Sequence, residues 1–237
     1  MTSLVLTGHG SKDPRSAANT RAVAGQLARM APGVDVRVAF CEHNAPLLPE
    51  VLTGIGDAVV VPFLLACGYH ARTDIPALSG GTEIPVRQAD VLGADERLLT
   101  VLRVRLGALG VSPLDGGLGV MVVAVGSSDP GANARTAGLA GRLVRGTRWA
   151  GVEVAFATGP DTSLPRATRR LYARGATRLV IAPWFLAHGR ITDRVAAYAH
   201  TAGIPMAQPL GSHPLVAATA LDRFEASLAR AHTSLAS

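Results

Sequence analysis

The segment Gly10-Ser11-Lys12-Asp13-Pro14 returns later in the chain as Gly126-Ser127-Ser128-Asp129-Pro130, at an offset of 116 residues. The same offset relates Val36-Arg37-Val38-Ala39-Phe40 to Val152-Glu153-Val154-Ala155-Phe156. Chance does not keep one register over so long a stretch of sequence. The chain of 237 residues is therefore an internal duplication, and self-similarity of this kind decides the fold before any single motif does.

Each half alternates short apolar runs with segments of helical periodicity. Residues 4–7 and 57–65 predict strands, and the nearly unbroken apolar character of the second run is typical of a strand buried on both faces. Residues 16–30 have apolar positions at helical spacing. Strands that alternate with helices predict right-handed βαβ units and parallel sheets. We therefore expect an α/β fold with two Rossmann-like parallel-sheet lobes, residues 1–112 and 113–237.

The second half repeats this pattern after a linker rich in glycine and proline. In that half, residues 132–145 predict one helix and residues 204–207 predict a short strand before the last helix. With an apolar fraction of 48% and no low-complexity tract, the whole chain is expected to fold.

The composition limits where in the cell the protein is expected and which class of partner it is expected to bind. The chain shows no basic leader before its first Gly-His-Gly and no apolar run near the ~20 residues of a membrane helix, which predicts a cytoplasmic protein without a membrane span. The net charge is +6, but the basic residues are scattered arginines and Lys12 is the only lysine, so we expect no nucleic-acid partner. A polyanionic small molecule fits this charge better. Two cysteines without CxxC spacing argue against a disulfide framework or a thiolate zinc site.

Three metal-competent side chains follow the first three strands of the first half: His9, Glu42 and His70. Ligands of open parallel sheets bind outside the carboxyl ends of the strands, so these residues are expected at one rim that faces the other lobe across a cleft. Two imidazoles and a carboxylate suit Fe²⁺, Co²⁺, Ni²⁺ or Zn²⁺. At an offset of 116 residues, His9 corresponds to Val125 and Glu42 to Thr158, so only the first copy carries the set.

Each of these residues also has a purely structural explanation. A histidine in a glycine-rich turn can bond the backbone, and Glu42 can cap a helix. The Gly8-His9-Gly10-Ser11 turn can cradle a phosphate, but it matches neither GxGxxG nor GxxxxGK[ST], and there is no GxSxG elbow of a hydrolase. Whether His188, Cys41 or Cys67 contributes to the site is left open. The remaining histidines carry weaker claims: His43, His200, His213 and His232.

Three segments carry a resemblance to a known family. They are Leu6-Thr7-Gly8-His9-Gly10-Ser11 with Asp13-Pro14, then Ala39-Phe40-Cys41-Glu42, and Pro62-Phe63-Leu64-Leu65-Ala66-Cys67-Gly68-Tyr69-His70 with Asp74-Ile75-Pro76. These segments resemble the sirohydrochlorin chelatase family, the class II chelatases of tetrapyrrole biosynthesis. The resemblance is close in the first half, and the second half looks like its degenerate copy.

The resemblance implies a ferrochelatase-like fold and ATP-independent insertion of a divalent metal ion into sirohydrochlorin. Fe²⁺ is the metal ion expected first, for sirohaem biosynthesis. The alternative is a cobaltochelatase of cobalamin biosynthesis. A further alternative is a non-catalytic carrier of the metal or the tetrapyrrole. His9 and His70 would be metal ligands or proton acceptors, and Glu42 the assisting carboxylate. Fe²⁺, Co²⁺ or Ni²⁺ would be a substrate, and we expect no permanently bound cofactor and no iron-sulfur cluster.

The tetrapyrrole implied by this resemblance carries many carboxylates, which arginine binds well through two parallel hydrogen bonds. Both a monomer and a homodimer agree with the sequence, and the orientation of the tetrapyrrole is left open. The candidate substrate-binding residues lie on or beside the predicted rim: Ser11, Lys12, Arg15, Arg72, Arg190 and Arg194.

Overall fold

The computed structural model describes residues 2–66, 73–80, 84–158 and 163–235, with side chains as far as residue 231. The strands in these ranges are Ser3–Gly8 (β1), Val36–Phe40 (β2), Ala58–Pro62 (β3), Val86–Gln88 (β4), Leu118–Ala124 (β5), Gly151–Phe156 (β6) and Arg178–Pro183 (β7). They form two sheets, with the orders β2-β1-β3-β4 and β6-β5-β7, and every pair of neighbouring strands is parallel. The predicted α/β class with two parallel sheets is confirmed.

Helices connect the strands in both halves. They are Pro14–Met30 (α1), Leu48–Thr53 (α2), Ile75–Ser79 (α3), Glu96–Gly107 (α4), Pro130–Ala137 (α5), Leu139–Leu143 (α6), Leu164–Ala173 (α7), Arg190–Thr201 (α8) and Pro214–Leu235 (α9). Helices α1 and α5 begin alike, because the repeated Asp-Pro supplies an N-cap carboxylate and a proline in the first turn. No helix among the described residues is long and apolar enough to cross a membrane.

Two elements of the second half differ from the sequence prediction. The helix predicted over residues 132–145 is divided at Gly138, where α5 ends and α6 begins, and glycine is a poor helix former. Residues 204–207 do not form a strand; only Met206 bridges to Ile181. Pro205 lacks an N–H, so this short run cannot donate a full ladder of hydrogen bonds.

The contacts divide the chain into two compact units, Met1–Arg97 with Ser212–Ser237, and Leu98–Gly211. The C-terminal helix α9 belongs to the first unit because it packs against α1 and β3. Arg223 on α9 donates to the carbonyls of Val91 and Leu92 and to Asp95, which fixes the helix there. The expected division into lobes at residues 1–112 and 113–237 stays a prediction.

The register of the first sheet sets the position of its loops. Strands β1 and β3 are buried along their whole length. Gly8 at the end of β1 pairs with Phe40 at the end of β2, and Thr7 pairs with Pro62 at the end of β3. The carboxyl ends of these three strands are therefore level, and the residue that follows each strand lies at the same edge of the sheet.

Candidate functional site

His9 and Glu42 lie side by side at the carboxyl edge of the first sheet. The parallel ladder continues past the strands, because the amide of Cys41 donates to the carbonyl of Gly8 at 3.0 Å and the amide of Glu42 donates to the carbonyl of His9 at 3.1 Å. The His9 Nε2 and Glu42 Oε1 atoms are 3.3 Å apart, and the two side chains are 36% and 48% exposed. The strands thus bring an imidazole and a carboxylate together while leaving both accessible from solvent.

Gly10 permits this close approach of the two loops. Its φ of +95° is one that other residues rarely adopt, and a Cβ at this position would lie 1.7 Å from the carbonyl oxygen of Glu42. Gly126, its counterpart in the second repeat, has nearly the same φ of +98°, but a Cβ there would lie 3.0 Å from the carbonyl oxygen of Thr158. A Cβ would therefore clash severely with the backbone in the first repeat, whereas in the second its neighbours would have to move by only a few tenths of an ångström.

His43 lies beside the same carboxylate, although its claim to a role was weak from the sequence. Its Nε2 atom lies 3.1 Å from Glu42 Oε1, the same carboxylate oxygen that His9 contacts. Its backbone has a φ of +64°, and the amide of Asn44 donates to the carbonyl of Glu42 across it at 2.8 Å. The repeat could have pointed to His43. The corresponding position, 116 residues later, is Gly159, so this histidine, like His9 and Glu42, occurs in the first copy only.

His70, Arg72 and Cys67 lie outside the described residues. Within the described ranges, no group of three or more histidine, cysteine, aspartate or glutamate side chains has the geometry to hold a metal ion. Cys41, beside Glu42, is half-buried. Burial, with the nearby carboxylates of Asp74 and Glu42, raises the pKa of Cys41 to about 11, so its thiol is protonated at neutral pH.

The candidate substrate-binding residues of the first unit differ in their surroundings. The Ser11 hydroxyl accepts the amide of Asp13 at 3.0 Å, so it shapes the loop before α1. Arg15 makes a two-point contact with the Asp13 carboxylate, at 3.0 and 2.6 Å. Lys12, between Ser11 and Asp13 in the sequence, is exposed.

In the second unit, Arg194 lines a cavity of about 570 Å³ at the carboxyl end of β6. Its guanidinium donates to the carbonyl of Ala157 at 2.8 Å. Arg190 is exposed at the start of α8. The His188 Nε2 atom lies 2.8 Å from Oε1 of Gln208, so this ring is engaged within its own unit.

The second repeat keeps one backbone hydrogen bond of the site without the imidazole and the carboxylate. The amide of Thr158 donates to the carbonyl of Val125 at 2.9 Å, as Glu42 does to His9. The Thr158 hydroxyl also donates to that carbonyl, at 2.6 Å. Duplication thus kept this backbone contact, and at these paired positions the imidazole and the carboxylate occur in the first copy only.

Comparison with known proteins agrees with this duplicated architecture. The CbiX family model matches residues 3–109 and 119–227, two stretches that begin 116 residues apart. The sirohydrochlorin cobaltochelatase of Priestia megaterium is 27% identical over 209 residues, covering 82% of this chain and 67% of that protein. The sirohydrochlorin cobaltochelatase of Methanosarcina barkeri is 33% identical over 110 residues, covering 39% of this chain and 85% of that protein.

Solved structures share the fold at lower identity. SirB from Bacillus subtilis with Fe³⁺ has a TM-score of 0.77 and 21% identity, covering 98% of this chain and 97% of that one. CbiX, described as the terminal enzyme for biosynthesis of siroheme in denitrifying bacteria, has a TM-score of 0.68 and 19% identity, covering 96% and 99%. The family match covers most of the sequence, and the chain therefore belongs to the CbiX family, that of the sirohydrochlorin chelatases.

Proposed function

We propose that the protein inserts a divalent first-row metal ion into sirohydrochlorin. The observation that carries this proposal is the contact between His9 and Glu42 at the carboxyl ends of β1 and β2, in one copy of a duplicated chelatase fold. Membership of the CbiX family and the names of the curated relatives support the same reaction.

Metal insertion places two demands on this site. One M²⁺ ion enters the macrocycle while two pyrrole N–H protons leave, so the total charge is conserved. The protein must hold the ion weakly enough to release it and must provide an acceptor for the protons. Imidazole and carboxylate groups can do both. A half-exposed site also lets a bound metal ion exchange its protein ligands for those of the macrocycle. We assign metal binding to His9, Glu42 and His70, and proton acceptance to members of the same set.

Recognition of the tetrapyrrole carboxylates is assigned to basic side chains near the strand ends. In this proposal Lys12 and Arg15 serve in the first unit, Arg190 and Arg194 in the second, and Arg72 completes the set. Arginine supports this role because its planar guanidinium matches a carboxylate. Ser11 contributes through the loop that its hydroxyl stabilises.

The choice of metal is a finer part of the proposal. The sequence led us to expect Fe²⁺ first, while the curated relatives are named cobaltochelatases. Ligand chemistry does not decide between them, because affinity follows the Irving–Williams order rather than biological use. The reaction is proposed to run without ATP, in the cytoplasm.

The test is an insertion assay with purified protein, sirohydrochlorin and Fe²⁺, Co²⁺ or Ni²⁺, without ATP. We expect the visible spectrum of the macrocycle to change faster than in a protein-free control, over many turnovers. Equal rates with and without protein would refute catalysis. A single stoichiometric change would instead identify a carrier.

Two variants test the assigned ligands. We expect Glu42→Gln and His70→Ala to lose most of the insertion rate while keeping the circular dichroism spectrum of the unaltered protein. Near-normal turnover in both variants would overturn the assignment of the site.

A further inference from the structure

We propose that His43 is a positioning residue that holds the Glu42 carboxylate in place for the metal ion. Two imidazoles share one oxygen of this carboxylate: His43 Nε2 lies 3.1 Å and His9 Nε2 lies 3.3 Å from Glu42 Oε1. This inference rests on the proposed function and adds to it a residue outside the predicted ligand set.

The backbone at His43 is one that favours glycine. A φ of +64° places this histidine in the left-handed region, where an L side chain is sterically disfavoured. The second repeat has Gly159 at the corresponding position of the sequence. Residues kept in such conformations cluster at functional sites, where a side chain compensates for the strain. The first repeat thus has an imidazole where the turn would accept glycine more easily.

The turn that carries His43 is held on both sides. The Asn44 amide donates to the Glu42 carbonyl at 2.8 Å, and the Asn44 side-chain oxygen accepts the Ser11 amide at 2.8 Å. The first bond closes the turn, and the second ties it to the loop after β1. With the backbone fixed, the imidazole of His43 is held with its Nε2 atom 3.1 Å from Glu42 Oε1.

The contact suits a supporting role better than direct ligation. His9, Glu42 and His43 do not form a metal-holding group among the described residues. A carboxylate ligand that is itself hydrogen-bonded keeps its lone pairs aimed at the ion, and loss of such a partner typically weakens metal affinity or activity about 10- to 100-fold. In this proposal His9 binds the metal ion, and the role of His43 is to donate to the Glu42 carboxylate that it contacts.

The experiment compares the unaltered full-length protein with His43→Gly, His43→Gln and, as a surface control, His200→Ala. His43→Gly removes the imidazole and relaxes the backbone, so the melting temperature is expected to hold. The Kd for Co²⁺ alone, measured by calorimetry, and the KM for Co²⁺ should rise about 10- to 100-fold, with kcat less affected. His43→Gln, which keeps an N–H donor, should restore most of the affinity, and His200→Ala should match the unaltered protein.

The outcomes separate this inference from the proposed function. Unchanged Co²⁺ affinity and KM in His43→Gly, or failure of His43→Gln to restore affinity, overturns the inference alone. Weaker Co²⁺ binding in His43→Gly together with no insertion by the unaltered protein overturns the proposed function alone. Absence of Co²⁺ binding by the unaltered protein overturns both.

Discussion

Replacing Gly10 with alanine should disable the site, whereas the same change at Gly126 should not. Both positions have a φ near +100°, at +95° and +98°, so both variants place an L residue in the left-handed region, at a cost of about 1 to 2 kcal/mol. The two positions differ in the room that they leave for a Cβ atom. The new Cβ would lie 1.7 Å from the Glu42 carbonyl oxygen in the first repeat and 3.0 Å from the Thr158 carbonyl oxygen in the second.

The size of the effect follows from that difference. An ordinary C···O contact is about 3.3 Å, so relief of the clash at Gly10 requires a relative movement of about 1.5 Å between the loops of His9 and Glu42. The hydrogen bond from the Glu42 amide to the His9 carbonyl is then lost, for about 1 kcal/mol. We expect Gly10→Ala to lose about 2 to 3 kcal/mol of unfolding free energy. A displacement of this size at a reacting centre also costs on the order of 100-fold in rate.

Urea denaturation, monitored by circular dichroism, measures the unfolding free energy of each variant. The insertion assay measures its rate of metal insertion. Gly126→Ala is the matched control, since it carries the conformational penalty without the severe clash. We expect insertion by Gly126→Ala to stay within about threefold of the unaltered protein, well short of the 100-fold loss that displacement can cause. If Gly10→Ala inserts metal as fast as Gly126→Ala, the close approach of the two loops does not shape the site.

Three further predictions concern stability and substrate binding. Burial raises the pKa of Asp95, but hydrogen bonds from Arg97 and Arg223 outweigh it and lower the pKa to about 2, below the 3.8 of a free carboxyl. Asp95→Asn should therefore lose about 1 to 2 kcal/mol at pH 7, and the difference from the unaltered protein should shrink as the pH falls from about 4 towards 2; a gap that does not vary with pH in denaturation experiments contradicts this. Arg194→Ala should raise the KM for sirohydrochlorin about tenfold and leave the KM for the metal ion unchanged, and the reverse pattern would exclude Arg194 from substrate binding. Leu4→Ala, at a fully buried position, should lower the unfolding free energy by about 2 to 5 kcal/mol, and a loss below about 1 kcal/mol would mean that the core of the first sheet is loosely packed.

The repeat explains why much of the fold could be predicted from the sequence. An offset of 116 residues relates the strands and turns of the two halves, and the buried apolar run at β3 identified a parallel sheet. The strand-end rule also predicted that His9 and Glu42 would meet, and their side chains lie 3.3 Å apart. Their chemical role stays a proposal.

Features that depend on backbone detail or on distant partners could not be read from local patterns. The orientation of His43 depends on a positive φ, which sequence periodicity does not encode. The packing of α9 against α1 and β3 joins the end of the chain to its beginning, whereas helical periodicity predicts an apolar face but not its partner. The strand predicted at residues 204–207 was wrong. The prediction relied on the apolar character of this run and did not take into account that Pro205 has no N–H to donate.

The most direct measurement compares the insertion rates of His9→Ala and Val125→Ala, two truncations at corresponding positions of the repeats. If the first copy alone carries the chemistry, His9→Ala should lose at least about 100-fold in rate, as expected when a proton acceptor or metal ligand is removed. Val125→Ala should keep the rate of the unaltered protein, with both variants folded by circular dichroism. Equal rates in the two variants would contradict a site built on the first repeat.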